Sequence, residues 1–144
     1  MRNLIWDFTH QFPAPTPLND VDVIFFDKSD ISKTREQHIQ RQLRRLYPAV
    51  NWEVRNQARM HIKHGFPPFA DTLDAISHWV EKETAVAARY TGTETEIIAP
   101  YGLKMNYNNS ITPHPAFPAA LFESRVSNKC WQQIWPTLWI NHDS

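Results

Sequence analysis

Glycine and cysteine are both scarce in this 144-residue chain, and each scarcity removes a class of site. The three glycines, Gly65, Gly92 and Gly102, stand far apart among eleven prolines. A Walker or Rossmann phosphate cradle needs several glycines at fixed spacing so that backbone N–H groups approach phosphate, and neither pattern occurs. Cys130 is the only cysteine. It excludes an intrachain disulfide and a Cys-based zinc site within one chain, and fits a reducing cytoplasm. Net charge is absent too, because fifteen basic side chains cancel fifteen acidic ones. No global field draws the protein to nucleic acid or an anionic membrane, so general nucleic-acid binding is not expected. No stretch approaches the roughly 18 apolar residues of a membrane span, and the first residues, MRNLIWDFTHQF, carry polar groups throughout, unlike a secretion signal. The expectation is a cytoplasmic protein.

What is present suffices for one domain spanning residues 1–144, with six Trp, eight Phe and four Tyr to fill its core. DVDVIFFD, at residues 20–27, is β-branched, aromatic and short, which predicts a well-buried strand. Ser29 or Asp30 can cap a following helix whose apolar stripe is Ile39, Leu43, Leu46 and Tyr47, ended by Pro48. Its Arg35, Arg41, Arg44 and Arg45 read as a solvated face. VNWEVR, at residues 50–55, alternates Val50, Trp52 and Val54 with Asn51, Glu53 and Arg55, the period-2 signature of a half-buried strand. A short helix closed by Gly65 comes next, then one capped near Asp71 or Thr72 that buries Leu73, Ile76 and Val80. AVAARY and ETEIIA predict a hairpin around Gly92. Phe122, Val126, Cys130 and Ile134 step by four along a final helix that makes Cys130 a packing residue, flanked by Trp131 and Trp135 as core or interface groups. The order of elements predicts an α/β (α+β) domain, a mixed β-sheet flanked by helices.

Chemistry gathers on two of these strands. Asp20 and Asp22 have the same parity and lie about 6.5 Å apart at roughly 3.3 Å rise per residue. If the next strand is their neighbour, Glu53 projects from its polar face to complete three oxygen ligands, a set suited to Mg²⁺. Each acid also has a plain reading as a turn or solvated residue, and by spacing alone that reading is favoured. Asp27, of opposite parity to Asp22, reads as a cap or turn residue. His61 and His64 lack a third ligand and read as a surface pair.

The order of NDVDVIFFD, WEVRNQARMH, IIAPYGL and a late Trp-Pro resembles a bacterial nucleotidyltransferase-like family of uncharacterised proteins, within the DNA polymerase beta-like nucleotidyltransferase superfamily. The resemblance runs over nearly the whole chain. It implies a nucleotidyltransferase-like fold with Asp20, Asp22 and Glu53 as metal-binding catalytic carboxylates, and Asn56, Gln57, Arg59 and His61 lining the same cleft against substrate. Asn56 and Gln57 equally suit a structural role, satisfying backbone groups at the strand-to-helix junction. An intact site would hold two Mg²⁺ ions and move a nucleoside monophosphate from a nucleoside triphosphate to a hydroxyl acceptor that the sequence does not identify. The resemblance also implies a glycine turn before Arg2-Asn3-Leu4-Ile5-Trp6; Met1 stands in its place, so the chain reads as N-terminally shortened. That leaves open a catalytically inactive derivative binding a nucleotide or a protein, and exposed apolar surface leading to a homo-oligomer. Lys104 departs from the acidic residues expected after Gly102-Leu103.

Overall fold

The computed structural model describes residues 1–142. The first half of the chain forms α1 (Arg2–Thr9), β1 (Val21–Phe25), α2 (Lys33–Leu46), β2 (Trp52–Asn56), a 3-10 turn (Gln57–Arg59), α3 (His61–His64) and α4 (Thr72–Ile76). The second half forms a 3-10 turn (Lys82–Thr84), β3 (Ala87–Tyr90), β4 (Thr95–Ile98), α5 (Lys104–Tyr107), β5 (Ser110–Ile111), α6 (Ala119–Lys129), α7 (Trp131–Ile134) and β6 (Trp139–Ile140). The fold is mixed α/β, its described strands paired two by two: β1 with β2 parallel, β3 with β4 antiparallel, β5 with β6 parallel. Two compact units result, one of residues 17–75 and one of residues 1–16 together with the chain from Ile76 onward.

In the unit of residues 17–75, α2 is the crossover between β1 and β2 that parallel pairing requires. Val54 is fully buried and Trp52 half-buried, as the alternation predicts. β1 corrects the expectation of a well-buried strand: its apolar residues are only half-buried, because β2 is its sole strand partner among the described residues. The apolar stripe of α2 is also corrected. Leu46 and Tyr47 are exposed, Ile39 and Leu43 half-buried, and the one buried residue of the helix is Glu36.

The start of α2 differs as well. Ser32 is its N-cap, while Asp27 accepts from the N–H and hydroxyl of Ser29, and Asp30 from the N–H of Ser32. These are Asx turns, in which a short carboxylate folds the chain back on itself. Asp27 is thus a turn residue, also ion-paired with Arg35. Gly65 closes α3 in the left-handed region at φ +71°, and Asp71 caps α4 through the N–H of Asp74. Leu73 is exposed, not buried, since α4 is a short helix that presents only Ala75 and Ile76 to the interior.

The other unit is built around Trp6, Val80, Ile111, Phe122, Trp131, Trp135 and Leu138. Trp6 meets Trp131 and Trp135 edge-on, at centroid separations of 5.7 and 5.2 Å, the geometry favoured by aromatic quadrupoles. The hairpin expected around Gly92 is β3–β4. The single final helix is not formed. Cys130 adopts φ +54°, closing α6 and opening α7, and the rotation this imposes carries Trp131 and Trp135 into the core while leaving Cys130 and Ile134 exposed. Cys130 is therefore no packing residue.

Candidate metal centre

Parallel pairing places Asp22 in register with Glu53, so the two carboxylates project side by side from one face of the strand pair. Asp20 precedes Asp22 by two residues, just before β1 begins, and reaches the same place. One carboxylate oxygen from each of Asp20, Asp22 and Glu53 lies within 4.8 Å of the other two. None of the three is buried, and no Lys or Arg ion pair joins Asp20 or Glu53 among the described residues. Three like charges so placed repel one another unless a cation lies among them. All-oxygen donors of this kind are hard ligands, which fit a divalent cation such as Mg²⁺ and leave it positions for water and phosphate oxygens.

None of the other residues singled out in the sequence belongs to this carboxylate group. Asn56 has the opposite parity to Glu53 and is fully buried. Its Oδ1 accepts from the N–H of Asp27 and Ala58, and its Nδ2 donates to the carbonyls of Asp27 and Asp30. Gln57 is buried beside it. Arg59 grips Glu36. His61 is half-buried, its ring edge-on to Phe69 at 6.0 Å, and its Nδ1 is buried without a hydrogen-bond partner among the described residues. Asp20, Asp22 and Glu53 are the one group of three or more potential metal ligands among the described residues, so His61 and His64 find no third ligand.

Sequence reasoning missed Glu36 and Gln40. Glu36 accepts the backbone N–H of Asn56 at 2.7 Å, and Gln40 accepts that of Val54 at 3.0 Å. The fit is geometric: residues four apart on a helix are about 6.0 Å apart along its axis, and residues two apart on a strand about 6.6 Å. Two side chains of α2 thus replace a third strand along the open edge of β2, holding the strand that carries Glu53. Their spacing of four was the available signal, but on so polar a helix it looks the same as a solvated face.

A parallel strand pair with a crossover helix, with Asp20 just before the first strand, Asp22 on it and Glu53 in register on its neighbour, fits the arrangement expected of a nucleotidyltransferase-like domain. The chain belongs to this class: a family described as Nucleotidyltransferase matches residues 1–140. Among solved structures it is similar to one described as "The NMR structure of the protein reveals a CCA-adding enzyme head domain", with a TM-score of 0.78 and 32% identity over 98% of this chain and 77% of that one. No curated protein matches the sequence. Family and fold together support nucleotidyl transfer as the general activity.

Proposed function

We propose that the protein is a Mg²⁺-dependent nucleotidyltransferase that moves a nucleoside monophosphate from a nucleoside triphosphate to a hydroxyl acceptor. The observation that carries this is the convergence of Asp20, Asp22 and Glu53 oxygens within 4.8 Å on adjacent parallel strands. Divalent ions, when bound, supply positive charge against the phosphates and lower the pKa of the attacking hydroxyl. The contribution of the chain is placement. Asp22 and Glu53, fixed in register, set the separation of two ligands, and Asp20 adds a third from outside the ladder. Since phosphoryl-type transfer depends mainly on positioning and charge, a rigid carboxylate platform is the part the protein must provide.

The similarity to a domain described as CCA-adding makes CTP and ATP the donors to try first. The test is calorimetry with Mg²⁺ and each nucleotide, followed by pyrophosphate release in the presence of candidate hydroxyl acceptors. Binding that requires Mg²⁺ and disappears in Asp22→Ala is the expected result. Nucleotide binding indifferent to both Mg²⁺ and Asp22→Ala would overturn the reading.

A further inference from the structure

A cleft of about 360 Å³ opens between α2 and the outer edge of β2, lined by Lys33, Glu36, Gln37, Gln40, Val54, Arg55 and Arg59. Its volume lies within the range of small-ligand sites. Its chemistry is one-sided: three cations face a single carboxylate, which leaves the lining with a net charge of +2 in a protein whose overall charge is zero. That carboxylate is already spent. Glu36 Oε1 accepts from Arg59 Nε and from the N–H of Asn56, and Oε2 accepts from Arg59 Nη2.

The remaining groups keep unused donors, although the charge of Arg55 also acts on Glu36. Arg55 uses only Nη1, on the carbonyl of Val54, and Lys33 has no carboxylate partner among the described residues. Gln40 accepts the N–H of Val54 through Oε1, which fixes its amide and leaves the Nε2 hydrogens as the unspent end. A guanidinium, an ammonium and an oriented amide around a small polar cleft match the oxygens of a phosphate group, which arginine binds through paired N–H donors.

We propose that this cleft is a phosphate subsite, built by Lys33, Arg55 and Gln40, for a phosphate carried by a nucleotide. Arg55 follows Glu53 by two residues on the same face of β2, about 6.6 Å further along the strand, so the subsite lies next to the carboxylates without including them. The phosphate has two sources of identical chemistry, the polyphosphate of a nucleoside triphosphate and the backbone of a single strand of nucleic acid.

The experiment is a titration of the ¹⁵N-labelled full chain with inorganic pyrophosphate in metal-free buffer, followed by NMR. Shifts centred on Lys33, Gln37, Gln40 and Arg55 are expected, with affinity falling as salt rises. Lys33→Ala and Arg55→Ala should each weaken binding about tenfold. Lys63→Ala removes the same charge from exposed α3 and should leave affinity unchanged; equal weakening there would reduce the effect to diffuse charge and overturn the proposal. Shifts confined to other surfaces would do the same. Because no metal is present, Glu53→Gln should bind pyrophosphate at least as tightly as the parent, since it removes a neighbouring negative charge, so failure of the metal centre and failure of this subsite are separable. Displacement of pyrophosphate by metal-free ATP supports the site and assigns it to the nucleotide polyphosphate. Displacement by a short single-stranded oligonucleotide supports it and assigns it to a strand backbone, and displacement by neither overturns the assignment to a nucleotide phosphate.

Discussion

Arg59 clasps Glu36 at two points, Nε to Oε1 at 2.6 Å and Nη2 to Oε2 at 2.7 Å, while the same Oε1 holds the backbone N–H of Asn56 at the end of β2. The pair joins the helix that crosses between the strands to the segment that follows them. Burial pushes the Glu36 carboxyl up, but the bonds from Arg59 and Asn56, with the charges of Arg59 and Arg55, outweigh it and hold the group below the ordinary glutamate range. A carboxyl lowered in the folded state stabilises the fold above its unfolded pKa of about 4.3, and that stability is lost as pH falls through the folded value. Denaturation midpoints should therefore drop below about pH 4.3, and Glu36→Gln should flatten that drop. At neutral pH the same variant should cost about 3 kcal/mol, since Arg59 then keeps its charge in a largely buried position without its counterion. Urea unfolding of both proteins between pH 3 and 7 measures the two effects together.

The carboxylate cluster predicts an opposition between stability and binding. Glu53 lies in register with Asp22, and like charges directly opposite on paired strands are destabilising. Without metal, Glu53→Gln should raise stability by about 0.5 kcal/mol. Saturating Mg²⁺ should then raise the melting temperature of the parent through linkage and leave the variant almost unmoved. If the variant gains as much from Mg²⁺ as the parent does, Glu53 is not a ligand.

Strand parity showed that Asp20, Asp22 and Glu53 could meet, but by spacing alone a turn or solvated reading was favoured; the order of the surrounding motifs tipped the balance, and the adjacency of β1 and β2 brings the three together. The support beneath it was hidden. Glu36 and Gln40 sit on a polar helix where nothing local separates a strand-edge acceptor from a solvated side chain, and the apolar stripe drawn through Leu46 and Tyr47 pointed away from them. At the other end, a step of four from Phe122 to Ile134 looked continuous, because no glycine or proline announces the left-handed residue at Cys130. Helical spacing cannot reveal a break made by a residue that pays for its conformation elsewhere, and here the burial of two tryptophans supplies the return.

Two tryptophans of this core, Trp6 and Trp135, differ in a way that mutation can read. Trp135 donates its indole N–H to Asp7 at 2.9 Å, whereas the N–H of fully buried Trp6 has no hydrogen-bond partner among the described residues. Trp6→Phe discards an unsatisfied donor while keeping an aromatic ring, so it should cost about 1 kcal/mol. Trp135→Phe loses a bond to a buried carboxylate and should cost about 2 to 3 kcal/mol. Trp6→Ala, which empties the centre of the cluster, should cost about 3 to 5 kcal/mol. Chemical denaturation ranks the three. Equal costs for the two Phe variants would mean that the Asp7 bond contributes nothing.

Asn56 separates a structural role from a substrate role at the strand-to-helix junction. Its side chain spends both acceptor sites on N–H groups and both amide hydrogens on carbonyls, which ties the Asp27–Asp30 turn to the end of β2. Asn56→Ala strands these four backbone groups in a buried place and should cost about 3 kcal/mol or more. Asn56→Asp should be no better, because a second carboxylate oxygen would face the two carbonyls that now receive hydrogens. Asn56 lies buried on the face of β2 opposite Glu53, so Mg²⁺ affinity of whatever fraction remains folded should stay within about twofold of the parent. Denaturation alongside calorimetry distinguishes the roles: a variant as stable as the parent that has lost nucleotide binding would make Asn56 a substrate contact, whereas an unstable variant with intact metal affinity makes it the clasp that holds the strand ends together.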